Sequence, residues 1–170
     1  MRMKYSIGGL IILAVALIGF SVLSGGAVRT WNDTEIACLP NGHQSLEMHF
    51  HPELTITVND TNERVPVNIG ITPNCMAEVH THDTTGQIHV ESVTPDRTFV
   101  VGDFFAVWGE PLAREGYVLR ASIDGEVYEE ADEIAAVAMS DGMQINLAYT
   151  SVGTNASDEE VASTTTRSGE

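Results

Sequence analysis

Residues Ile7 to Leu23 form an almost uninterrupted apolar run, whereas apolar and polar residues interleave through the rest of the chain. Arg2 and Lys4 precede the run and Ser24, Gly25, Gly26 and Ala27 follow it, the layout of an export signal with a basic start and an apolar middle. Its 17 residues sit at the short end of what spans a bilayer, and Gly25-x-Ala27 is a loose cleavage site. Residues 1–28 are therefore read as a signal peptide or an uncleaved hydrophobic anchor helix, with the basic end inside and the remainder facing outward.

Beyond that segment a period of two prevails. Leu46, Met48 and Phe50 alternate with polar partners, and after Pro52 so do Leu54, Ile56 and Val58. Asn59 to Asn62 reads as a turn and Arg64 to Thr72 as an extended stretch broken by Pro66. Residues 76–82 and 87–93 read as two strands joined across Asp83-Thr84-Thr85-Gly86. Tyr117 to Ile123, the Asp124-Gly125 turn, Glu126 to Tyr128 and Met143 to Tyr149 add further strands. Residues 29–150 are thus expected to form an all-β, mainly antiparallel domain, a small sandwich or open barrel of seven or eight strands. Phe104, Phe105, Val107 and Trp108 fit a short helix or a strand, as does Ala131 to Met139. The tail, residues 151–170, is rich in Ser, Thr, Asp and Glu and has too little apolar surface to offset its ordering entropy, so disorder is expected there.

Charge narrows the function. The 170-residue chain has 8 Lys+Arg against 24 Asp+Glu, a net charge of −16, and after position 28 only arginines remain as basic residues, giving 6 − 24 = −18. A polyanionic nucleic acid would be repelled, so nucleic-acid binding is excluded, whereas cations would be attracted. The acidic group Glu126, Glu129, Glu130, Asp132, Glu133 lacks the ligand spacing of a calcium hand and reads as a solvated face. Asn32-Asp-Thr34, Asn59-Asp-Thr61 and Asn155-Ala-Ser157 match the glycosylation acceptor of an exported glycoprotein.

Cys38 and Cys75 are the only cysteines, and their spacing is unlike a Cys-x-x-Cys redox or zinc motif. Outside the cytoplasm they are expected to pair as a structural disulfide, with a cysteine copper ligand as the rival assignment.

The histidines are the informative feature. His43, His49, His51, His80, His82 and His89 all fall between residues 43 and 89, and four of them form His-x-His pairs. On a strand, residues two apart project from one face, within reach of one ion. A four-residue turn at Asp83 to Gly86 sets His80 opposite His89, His82 opposite Gln87 and Glu78 opposite Glu91, and gathers Val79, Thr81, Ile88 and Val90 on the other face. His80, His82 and His89 then make a three-histidine face, with Glu78, Asp83 and Glu91 as carboxylates that orient the rings or serve as alternate ligands. His49 and His51 join that site from a neighbouring strand or form a second one, leaving Met48 and Phe50 for the core. His43, outside the pairs, reads as a surface or hydrogen-bonded residue.

Neutral imidazoles on a rigid sheet suit copper, zinc or nickel better than calcium or magnesium, and the exported location favours a copper ion, with zinc as the alternative. The blue-copper pattern of a late Cys, His and Met cluster is absent, since no histidine follows His89.

The run Cys75-Met-Ala-Glu-Val-His-Thr-His-Asp-Thr-Thr-Gly-Gln-Ile-His-Val-Glu-Ser92, with His49-Phe-His-Pro52 upstream and Phe104-Phe105-Ala-Val-Trp108-Gly109 downstream, resembles a group of exported or membrane-anchored bacterial and archaeal proteins. These carry a Cys…His-Thr-His-Asp-x-x-Gly-x-Ile-His-Val-Glu signature, and the likeness covers roughly residues 46–112. The family is largely uncharacterised, so the resemblance implies an extracytoplasmic setting and little about activity.

The expectation is an extracytoplasmic metal-binding protein, secreted or tethered to the membrane through its N-terminal segment, that captures, stores or presents the ion. The alternatives are a metalloenzyme with an open water position, for which no general base is evident, and a surface or filament subunit in which metal histidines bridge copies of a homo-oligomer.

Overall fold

Alternation in the sequence becomes alternation of burial wherever a strand has one face against the core. In β3 (Glu53–Val58), Leu54 and Ile56 are buried; in β9 (Tyr117–Ile123) it is Leu119, Ala121 and Ile123; in β11 (Gln144–Ser151) it is Ile145, Leu147 and Tyr149. The computed structural model describes residues 28–153, so the apolar segment and most of the tail lie outside the described residues. Among the described residues no helix is long and apolar enough to cross a membrane.

Five strands, including β4 (Thr61–Glu63) and β10 (Glu126–Tyr128), form a sheet in the order β10-β9-β11-β3-β4. Its pairings are antiparallel except β11 with β3, which run parallel. The domain is therefore predominantly β, with antiparallel and mixed sheets and no closed barrel among the described residues, and its strands are shorter and more numerous than the seven or eight expected. β2 (Met48–Phe50), β8 (His89–Ser92) and β7 (Val79–His80) make a second sheet in the order β2-β8-β7, and β5 (Ile71–Thr72) pairs with β6 (Cys75–Met76). β1 (Pro40–His43) precedes these.

Two segments open to either reading are helices: α1 (Val101–Trp108) and α2 (Ala131–Ala135). The Asp103 carboxylate accepts the Val100 N–H at 2.9 Å at the start of α1, and Gly109 ends it in the left-handed region. Val101, Phe104, Phe105 and Val107 are buried in the same cluster as Val79, Ile88 and Val90, so one core serves both larger sheets.

The turn readings need two corrections. Asn59 and Asp60 alone, both with positive φ, make a tight two-residue turn that leads directly into β4 at 61–63, and within the stretch 64–72 only β5 at its end is a strand. Residues 76–82 are not one strand: Ala77 bridges to Cys38 and Glu78 sits at a bend, which separates β6 from β7. The Asp124-Gly125 turn between β9 and β10 is as expected, with positive φ at both residues.

Two constraints fix the β7–β8 unit. Cys38 and Cys75 are bonded, and with the Leu39 N–H donating to the Met76 carbonyl at 2.7 Å they hold the segment leading into β1 against β6. At the other end Leu54 N–H donates to the Gly86 carbonyl at 2.8 Å; Gly86 has φ +92°, and a Cβ there would collide with the Leu54 carbonyl oxygen.

Removing the disulfide by Cys38→Ser with Cys75→Ser is expected to lower unfolding free energy by about 3 to 4 kcal/mol, read from urea denaturation. Gly86→Ala is expected to cost roughly 1 to 3 kcal/mol in the same measurement, because strain and collision act together.

Candidate metal centre

The site is built by the three-stranded sheet. Its register pairs His80 with His89 across β7 and β8, and His49 with Glu91 across β2 and β8. Cross-strand partners share a face, as do residues two apart, so His49, His80, His89 and Glu91 all project from one side. Val79, Val90 and Phe50 take the other side and pack into the core. His51 follows β2, held by its N–H donating to Asp141 Oδ1 at 3.0 Å and its carbonyl accepting the Gly142 N–H at 3.0 Å. His82 follows β7, and His43 ends β1.

All six imidazoles meet. Ring centroids lie 4.8 Å apart for His80–His82, 4.6 Å for His82–His89, 4.6 Å for His51–His89 and 4.5 Å for His49–His51. His43 was outside the expected set, yet its ring lies 5.2 Å from His82 and 5.8 Å from His80. Its inclusion in the narrow 43–89 window was the sequence signal; no strand period could supply it, because β1 reaches the site through the disulfide. Three groups have ligand atoms all within 4.8 Å of one another: His43, His80 and His82; His49, His51 and His89; and His80, His89 and Glu91.

The rings are pre-set as lone-pair donors. His80 is fully buried, and its Nδ1–H donates to the Ala77 carbonyl at 2.8 Å, which leaves Nε2 unprotonated in the neutral ring. That Nε2 stands 3.1 Å from His82 Nε2. Two imidazole nitrogens bound at about 2.0 to 2.1 Å to one ion stand roughly 2.9 to 3.4 Å apart for bond angles from square to tetrahedral. His89 Nδ1 is buried and has no hydrogen-bond partner, an arrangement that costs free energy unless something binds there.

The carboxylates have separate duties. Glu91 is fully buried; His43 Nδ1 lies 2.9 Å from both of its oxygens, His49 Nε2 lies 3.1 Å from Oε1, and His89 Nδ1 is 3.8 Å away. Glu78 serves another network: its carboxylate bonds Arg97 at 2.6 Å, the Ser92 hydroxyl at 2.7 Å and the Ala37 N–H at 3.0 Å. The expected Glu78–Glu91 opposition survives in the backbone, where Glu91 N–H donates to the Glu78 carbonyl at 2.7 Å, but the bend at Glu78 ends the alternation that would have aimed its side chain at the rings. Asp83 accepts the Thr85 N–H at 2.8 Å and hydroxyl at 2.6 Å, so it shapes the turn, and these bonds lower its pKa.

Burial, reinforced by the neighbouring imidazoles, pushes His80 down to about 3 and His89 to about 4, so both rings are neutral near pH 7, the form that binds metal. The folded pKa values lie below the ordinary 6.5, so the unfolded chain binds more protons between them. The stability of metal-free protein is accordingly expected to be full above pH 6.5 and to fall as pH drops from 6.5 toward 4. Urea midpoints across that range check this, and the slope should shrink in His80→Gln, which cannot titrate.

Models of protein families, characterised proteins and solved structures were all compared with this chain, and none matches it.

Proposed function

We propose that this chain is an extracytoplasmic transition-metal-binding protein that takes copper in preference to zinc and holds it through the histidines of the β2-β8-β7 face. The observation that carries the reading is the convergence of six imidazoles in one cluster beside a buried carboxylate whose side-chain partners among the described residues are imidazoles alone. A buried anion and an orphaned ring nitrogen are both relieved by a bound cation. The disulfide fits an oxidising compartment, and an N-terminal segment retained as an anchor would tether the site to the membrane.

Binding is favoured over turnover by the occupation of the carboxylates. A hydrolytic site needs a base free to take a proton from bound water, whereas Glu91, Glu78 and Asp83 are engaged by histidines, by Arg97 and Ser92, and by Thr85 respectively. Capture, storage or presentation of the ion is the role this chemistry supports.

Protein purified without added metal is expected to retain copper or zinc, and a metal-stripped sample should gain about 2.7 kcal/mol of stability at a free-metal concentration one hundred times Kd. His80→Ala should abolish most of that gain. Metal analysis together with thermal unfolding checks this; no bound transition metal and no stabilisation by copper or zinc would remove the proposal.

A further inference from the structure

Resting on the metal-binding reading above, we infer that the histidine face holds two metal ions, one in His43, His80 and His82 and the other in His49, His51 and His89, with Glu91 as the positioning carboxylate between them. The two triads use every histidine of the chain once and share none. They abut through His89, whose ring lies 4.6 Å from His82 and 5.4 Å from His80.

A single central ion is the competing arrangement, with His80, His89 and Glu91 as its ligands. It would use one histidine of each triad and leave His51 and His82 unused, with His43 and His49 serving only as hydrogen-bond partners of the ligating carboxylate. In the structure the carboxylate contacts a ring of each triad, His43 Nδ1 at 2.9 Å from both oxygens and His49 Nε2 at 3.1 Å from Oε1. When His43 donates from Nδ1 its Nε2 is left free, and when His49 donates from Nε2 its Nδ1 is left free, so one anion sets one lone pair in each triad.

Solvent access supports two cations where Glu91 is the one buried carboxylate among the rings. The side chains of His43 and His49 are 51% and 45% exposed and His82 is exposed as well, so each triad has at least one ring at the surface. Each ion would enter from solvent, and water would screen the charge the carboxylate leaves unbalanced. Three imidazoles per ion also leave a coordination position for an outside ligand.

The experiment is a titration of the full, metal-stripped chain with copper(II), counted by elemental analysis after desalting and by electron paramagnetic resonance. Two ions per chain are expected, with a spin signal below that of two isolated copper(II) ions because neighbouring spins couple. His49→Ala with His51→Ala, and separately His43→Ala with His82→Ala, should each hold one ion with the full signal of one isolated spin. Glu91→Gln should weaken both binding steps by about 10- to 100-fold and alter the copper hyperfine pattern of each one-ion variant. A wild-type chain that saturates at one ion overturns the inference while leaving the metal-binding reading intact, as does retention of both ions by either double variant. Failure of the wild-type chain to bind any ion overturns both. Wild-type stoichiometry and spin count decide the matter even where an alanine pair unfolds.

Discussion

A fully buried carboxylate, Glu91, with imidazoles in place of a lysine or arginine as its side-chain partners, is the constraint around which the molecule is organised. Moving a carboxylate out of water costs several kcal/mol even after relaxation, so it persists only where hydrogen bonds and opposite charge surround it. The centre of the three-stranded sheet supplies that setting: β2 on one side brings His49, β7 on the other brings His80, and β1 closes over with His43. The same arrangement brings imidazole nitrogens close together, His80 Nε2 standing 3.1 Å from His82 Nε2, and leaves His89 Nδ1 without a partner, a setting suited to holding cations.

The framework meets this cost with rigidity elsewhere. The other face of the sheet is apolar and joins a core shared with α1 and the five-stranded sheet, so the site rests on packed secondary structure. The disulfide and the Gly86–Leu54 contact restrain the two flanks, and the Gly142 and Asp141 contacts hold His51. Ligands fixed in this way lose little freedom when an ion arrives, which raises affinity without additional contacts. Glu78 shows the opposite solution for a buried acid: Arg97 neutralises it outright, and it is thereby withdrawn from the metal chemistry.

The register of β7 with β8 was legible because a period of two leaves one solution in which Val79, Ile88 and Val90 are buried together, and His80 opposite His89 follows from it; the expected four-residue turn was not, since the pairing ends there and Gln87 bridges to Glu53 and does not face His82. The Asp124-Gly125 turn and the inward face of β2 were legible for equally local reasons, and the disulfide because two cysteines allow one pairing. The parallel pairing of β11 with β3 was not, because pairing between strands separated by most of the chain has no local signature. Nor was the helical state of 101–108, where a short apolar run fits either period until the core around it is known.

The sequence by itself determined that His80 would lie opposite His89 on one face, since side-chain direction along a strand is a matter of counting, whereas His51 and His82 fall just past the ends of β2 and β7, where counting does not reach. Only the tertiary structure decided that both His-x-His pairs meet, that His43 completes the set, and that Glu91 rather than Glu78 lies among the rings. The reason is physical: strand order, a bend at one residue and a covalent link between distant segments depend on which surfaces bury each other, and no local spacing encodes that.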